Sequence, residues 1–465
     1  MQAGDHAAFE REAFDKDKGF VYANSQIVKG LQNRRQKELE LFKQQQATDY
    51  EFSVSKSSGV STSVRLSEVE TLKYHLDASF DVSVYIGKNK GQATSVDLSK
   101  KSLKNAIESA CLIAKYTQED PFNGLAPSDR MAWQVPDLEL YHPWNLDPKK
   151  SIDIAMECEQ IALEQPEINN SDGAELSSFE GESIYANSNG LIAKLKNTKH
   201  TLFCSLIAKR NDEMQTAYEY GIALDANNLT SATQVGLGAA KLAQEKLGSR
   251  HLNPQKCPII FTPRQSSGLF SQLLGALSGS RQYKKTSFLL DSLGKEVLPK
   301  TVSVYEDPLQ VKTLGARAFD QDGVLKKKQF FIENGRVSSY IMGQYSANQL
   351  GLESTANAGG VSNCCIDANF DGGLAELTKG MGRGLIVTDL MGHGINITTG
   401  NYSRGASGFW VENGEIQYPV SGITIAGNLK SMMRNIISVG SDVDNRSNLK
   451  VGSTLISEMT ISGEG

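Results

Sequence analysis

Apolar and polar residues alternate through residues 49–98, the period of strands with one buried face. Tyr50, Phe52 and Val54 form the first run. Lys56-Ser57-Ser58-Gly59 reads as a turn. A second strand covers Val60 to Leu66 and a third passes through Val69, Leu72 and Tyr74. A fourth carries Phe80, Val82, Val84 and Ile86 and stops at Gly87-Lys88-Asn89-Lys90-Gly91. The period then changes. From Lys101 to Tyr116, Leu103, Ile107, Ala110, Cys111 and Ala114 share one helical face. Pro121, Pro127, Pro136 and Pro143 mark an extended crossing segment. A second helix is expected from Pro148 to Gln165, strands from Gly173 to Leu224 with a turn at Asn187-Ser188-Asn189-Gly190, and a third helix from Val235 to Leu247. Before the first strands, an irregular stripe of Ile27, Leu31, Leu39 and Phe42 points to a helix over Asn24 to Gln46. The order helix, strands, helix thus occurs twice, an internal duplication read from element order alone.

Beyond Cys257 the texture differs. A strand, Pro258–Phe261, leads into an apolar helix from Ser266 to Leu277. Short glycine-broken strands follow: Val302–Tyr305, Phe330–Glu333, Arg336–Tyr340, Leu385–Asp389, Gly408–Glu412, Glu415–Tyr418 and Gly422–Ala426. Asn334-Gly335 and Asn413-Gly414 are type I′ hairpin signals, because both positions need positive φ. The expected fold is α+β: duplicated N-terminal α+β units followed by a β-rich C-terminal sandwich or barrel. The expected boundaries are 1–48 (polar, helical), 49–117 and 118–250 (α+β), and 251–465 (β-rich).

Composition narrows the function. The 465 residues carry a net charge of −5, which argues against a broad electrostatic grip on nucleic acid. Arg34-Arg35 and Lys326-Lys327-Lys328 read as solvated faces. No run approaches the roughly 20 apolar residues of a membrane span. The N-terminus shows no basic-then-apolar signal, so the expected compartment is the cytoplasm. The six cysteines include no CxxC pair, and Cys364-Cys365 is expected to be two free thiols, because a bridge between strand neighbours is strained.

Candidate chemistry is sparse. The six histidines (His6, His75, His142, His200, His251, His393) form neither HExxH nor any close pair. There is no GxSxG elbow. Gly380-Met381-Gly382-Arg383-Gly384 precedes a strand rather than following one, unlike a phosphate cradle. The densest segment runs from Gly382 to Gly408 and holds seven glycines. It carries His393, Asn401, Tyr402, Ser403 and Arg404, which stand as either a solvated β corner or a groove that adds a peptide strand.

The strings Thr399-Gly400-Asn401-Tyr402-Ser403-Arg404-Gly405-Ala406-Ser407-Gly408-Phe409-Trp410, Ile423–Lys430, Ser287–Lys295, Gly351–Thr355, Ala358-Gly359-Gly360 and Val54–Gly59 resemble the TldD/PmbA family of peptidases, in its PmbA/TldE branch. The likeness runs from about residue 49 to the end. It implies a heteromer with a TldD-like subunit that degrades or trims unfolded peptides, takes part in peptide microcin maturation, and has a historical link to DNA gyrase. TldD-like subunits hold zinc through HExxxH on a helix and a distant cysteine. The matching helix here looks like Gly268–Ala276, where Phe270, Ser271, Gln272, Gly275 and Ala276 stand and neither His nor Glu occurs. Ser441–Gly452 also lacks a cysteine. The resemblance therefore implies a chain with no catalytic residue and no cofactor of its own, the zinc residing in the TldD partner. Homodimerisation of the isolated chain stays open. Two rivals stand beside this reading. One is an independent metallopeptidase using His393 and Asp389. The other is a non-enzymatic modulator of another protein such as a topoisomerase.

Overall fold

The computed structural model describes residues 37–463, with side chains from residue 41 onward. Of the helix expected from Asn24 to Gln46, Lys37–Gln44 forms α1 and Gln45-Gln46 is a turn; residues 24–36 lie outside the described residues. Next come β1 (Asp49–Arg65), β2 (Glu68–Ile86), β3 (Asn89–Ser95) and α2 (Lys100–Tyr116). The second unit holds α3 (Pro148–Leu163), β4 (Ile168–Asn187), β5 (Ile192–Arg210), β6 (Glu213–Ala223) and α4 (Ala232–Glu245). Helix starts follow local chemistry. The Asp147 carboxylate caps α3 ahead of Pro148. Ser231 and Gln234 close a capping box on α4.

The six strands form one sheet in the order β3-β2-β1-β4-β5-β6. Two meanders meet where β1 pairs antiparallel with β4, so the halves are arranged about a local two-fold at that seam. One face is apolar. Phe52, Val54, Phe80 and Val82 pack with Leu103 and Ile107 of α2. Val64, Leu176, Leu202 and Cys204 pack with Ala155 and Cys158 of α3 and Val235 of α4.

The four short strands expected over 49–98 are corrected to two long ones. β1 runs unbroken through Lys56–Gly59, and the reversal falls at Leu66-Ser67, both at positive φ. The serines and Gly59 tolerate a strand because β1 is hydrogen-bonded on both sides. Gly59 is required there: a Cβ would stand 2.4 Å from the Phe179 ring.

The C-terminal part opens with β7 (Gln255–Phe261), α5 (Pro263–Ala276) and α6 (Gly279–Tyr283). β8 (Val304–Glu306), β9 (Gln329–Glu333), β10 (Arg336–Val337), α7 (Gln344–Leu350), β11 (Cys364–Ile366) and α8 (Leu374–Met381) follow. The chain ends with β12 (Gly384–Met391), β13 (Asn401–Glu412), β14 (Glu415–Asn428), α9 (Leu429–Arg434), β15 (Ile436–Val439), β16 (Leu449–Lys450) and β17 (Thr454–Gly463).

Of the two expected forms, the barrel is the one found. The order β14-β13-β12-β7-β17 closes on itself through β14–β17 pairing, and β15 extends from β17. A smaller sheet, β10-β9-β8-β11-β16, lies beside it. Ile259, Phe261, Leu385 and Val387 share a core with Leu269, Phe270 and Leu273 of α5. Each such side chain contributes about 1.5–3 kcal/mol by leaving water. The hairpin signals hold: Asn334, Gly335, Asn413 and Gly414 all have positive φ. The strand expected from Gly408 to Glu412 begins earlier, at Asn401.

Candidate functional site: a cleft between sheet and barrel

Helix α5 follows β7 directly, with Pro263 at its first turn. Its period divides the expected zinc-helix positions between two environments. Phe270 and Ala276 are fully buried. Ser271 is exposed, Gln272 and Gly275 are partly exposed, and Ser271 and Gly275 line a cavity of about 530 Å³. The helix is thus packing material on one side and a cleft wall on the other. The side-chain donor it presents there is the Ser271 hydroxyl, a poor ligand for zinc, which takes thiolate, imidazole or carboxylate. One carboxylate, Asp322, shares that cavity. Among the described residues, no group of three or more His, Cys, Asp or Glu is placed to hold a metal ion. The residues present do not fit a zinc centre.

The cavity continues. Ala358, Gly359, Gly360, Val361 and Asn448 also line a larger one of about 780 Å³ between β5, β6 and the loop Thr313–Arg317. Ile222, Leu224, Thr313 and Leu314 connect that in turn to a third, of about 440 Å³.

Buried charge holds the walls. Glu306 and Lys326 are buried and lie 3.5 Å apart. Asn357 Nδ2 donates to both Glu306 oxygens at 3.0 Å, and the Ser362 N–H donates at 3.0 Å. Burial pulls the Lys326 ammonium below its usual range. This corrects the solvated reading of Lys326-Lys327-Lys328: Lys327 and Lys328 are exposed, but Lys326 points inward. Asp320 accepts from the N–H groups of Asp322 and Val324 at 3.0 Å and of Ala358 at 2.9 Å. Asp322 accepts from the Gln344 N–H at 2.6 Å. Burial, and then the charge of Asp320, push the Asp322 carboxyl up to about 7. On the sheet side, Tyr85 and Tyr185 each donate to Glu51 at 2.9 Å. Arg446 grips Asp444 with two bonds of 2.8 and 2.9 Å and also reaches Glu219 on β6, tying the barrel to the sheet.

The glycine-rich candidates lie elsewhere. His393, Asn401 and Ser403 are exposed. Tyr402 is buried, and Arg404 donates to the Leu390 carbonyl at 3.2 Å. β13 is bonded to β12 and β14. Its start is covered by residues 394–396, where the Ser403 N–H donates to Gly394 at 2.7 Å. No free ladder edge remains there for a peptide strand. The glycines serve internal contact: a Cβ on Gly408 would stand 1.7 Å from the Ile386 carbonyl. Asp389 is paired with Lys246 at 3.1 Å. Cys364 and Cys365 are free thiols.

Glu306, Arg317, Asp320, Asp322 and Asn357 were not singled out from sequence. Only the Ala358-Gly359-Gly360 string pointed near them.

A closed barrel docked against an antiparallel sheet of two like halves, with a cleft along α5, defines the α+β architecture of this protein. Three family models match along the chain: the PmbA/TldA metallopeptidase domain 1 over residues 50–114, its central domain over 141–247 and its C-terminal domain over 254–463. The chain belongs to the PmbA/TldD family. It is 44% identical to a Haemophilus influenzae protein named a metalloprotease PmbA homolog, over 89% of this chain and 92% of the relative. It is 42% identical to Metalloprotease PmbA of Escherichia coli O157:H7, with the same coverage. Among solved structures, one from Bacteroides thetaiotaomicron, named for a proposed modulation of DNA gyrase, superposes with a TM-score of 0.87. Its identity is 26%, and the match covers 92% of this chain and 97% of that one. TldE from Thermococcus kodakarensis shares the fold at a TM-score of 0.78 and 22% identity, over 91% and 99% of the two chains. Among the described residues no helix is long and apolar enough to cross a membrane.

Proposed function

We propose that this chain is the metal-free subunit of a cytoplasmic two-subunit peptidase. It pairs with a TldD-like subunit that holds zinc, and completes the chamber in which unfolded peptides, peptide microcins among them, are trimmed. One observation carries the reading: α5 offers Ser271 and Gly275 toward the cleft where relatives would place ligands. Activating water requires a metal with an open position and a base, and this helix supplies neither. Binding and positioning of the peptide remain as its contribution. The exposed side chains of His393, Asn401 and Ser403 are proposed as further contacts, made through side chains rather than through the β13 ladder.

The test is expression with and without a TldD-like subunit, followed by cleavage of an unstructured peptide in the presence of zinc. The two chains should co-purify, and only the complex should cleave. Cleavage by this chain from a host lacking the TldD-like gene, at the rate of the complex, would sink the proposal.

A further inference from the structure

We infer that the cleft takes the carboxylates of an acidic, partly apolar peptide segment, with Arg317 as the anchor and Lys199 and Lys450 on its flanks. This rests on the peptide-handling reading and names the substrate class.

The argument begins with charge. Lys196, Lys199, Arg317, Lys326 and Arg446 line the cavity of about 780 Å³, against one acid, Asp320. Three of these cations are already matched. Lys196 lies 3.5 Å from Glu182, Lys326 pairs with Glu306, and Arg446 is held by Asp444 and Glu219. Asp320 spends both oxygens on backbone N–H groups. Among the described residues, Lys199 and Arg317 form no ion pair. The Arg317 Nε is buried and meets no acceptor. A buried donor without a partner calls for a ligand or another explanation, and a guanidinium fork matches a carboxylate. In the adjoining cavity Lys450 is likewise without an ion pair, whereas Lys312 is matched by Glu139 at 3.0 Å. These unmatched cations face one connected cleft in a chain whose net charge is −5. The lining itself holds more cations than acids, with Asp320 and Asp225 as its acids, and a local field of one sign steers ligands of the other.

Shape decides between anions. The cavities form a run longer than a phosphate group. Leu195, Leu224, Leu314 and Val361 stand among the cations, and the run ends at Ser271 and Gly275 of α5. A small inorganic anion would leave the apolar wall unused, whereas a peptide with carboxylates and apolar side chains would cover both.

The experiment is fluorescence anisotropy on the whole purified chain. The probe is a short labelled peptide of alternating Glu and Leu, compared with its twin carrying Gln for Glu. The acidic peptide should bind about tenfold tighter, and its advantage should shrink as salt rises. R317Q should abolish the preference, R317K should recover part of it, and K199Q, at an exposed site, should lower it about threefold. Melting curves identify any variant that fails to fold; should R317Q fail, R317K and K199Q carry the test. Equal affinity for the twins, or a preference untouched by the folded variants, overturns the inference. So does tripolyphosphate displacing the peptide while peptide length makes no difference, which marks a phosphate site. If the complex trims neutral peptides while the twins bind alike, this inference falls and the subunit reading stands. If no TldD-like subunit pairs with the chain, that reading falls whatever the twins do.

Discussion

The barrel core and the cleft beside it are built on opposite terms. Around Phe270, side chains are apolar, and the barrel closes its ladder. On the cleft side, the wall buries Glu306, Lys326 and Asp320 and leaves the Arg317 Nε without an acceptor. Apolar packing stabilises the fold without specifying a ligand. Buried charge costs stability and is retained where it positions something. Helix α5 belongs to both regions, so a change on its cleft face leaves its structural face intact.

Substitutions can break this contrast, and their effects should descend in order. Phe270→Ala removes a fully buried ring and should cost about 3–5 kcal/mol in urea unfolding. A cost under about 1 kcal/mol would show a loose core. Lys326→Met strands the Glu306 carboxylate and should cost about 3 kcal/mol, with much of it recovered when Glu306→Leu is added. Losses that simply add in that double-mutant cycle would contradict the pairing.

Asp322→Asn sharpens the comparison through pH. Because the folded carboxyl titrates near 7, above its unfolded value, the folded state binds the extra proton between about pH 4 and 7. Its stability therefore falls as pH rises through that window. The amide variant should match the parent at pH 4 and exceed it by on the order of 2 kcal/mol at pH 8. An equal gain at both pH values would remove the titration from the account. Smallest of all, Ser271→Ala should shift stability by less than about 0.5 kcal/mol, since that side chain is exposed.

Much of the fold was legible in local chemistry. Asn413-Gly414 announced its hairpin, the 3.6 period drew α2, and the repeated element order foretold the two halves of the sheet. Lys56–Gly59 misled because polar residues normally leave sheets, whereas β1 is paired on one edge with its hairpin partner β2 and on the other with β4, far along the chain. Lys326 misled for the same reason: its partner Glu306 is twenty residues away, and nothing local marks a lysine as buried. That α5 carries neither His nor Glu was visible in the sequence. The cleft was not, because Lys199, Tyr220 and Ile222 of the sheet meet Arg317, Ala358–Val361 and Asn448 only after the sheet and barrel dock.

Metal stoichiometry tests the central claim most directly. The purified chain would be stripped with a chelator, reloaded with zinc, dialysed and measured by inductively coupled plasma mass spectrometry, alone and after co-expression with the proposed TldD-like subunit. The account predicts no retained zinc on this chain alone and one zinc per pair in the complex. One zinc retained per copy of the isolated chain would contradict it.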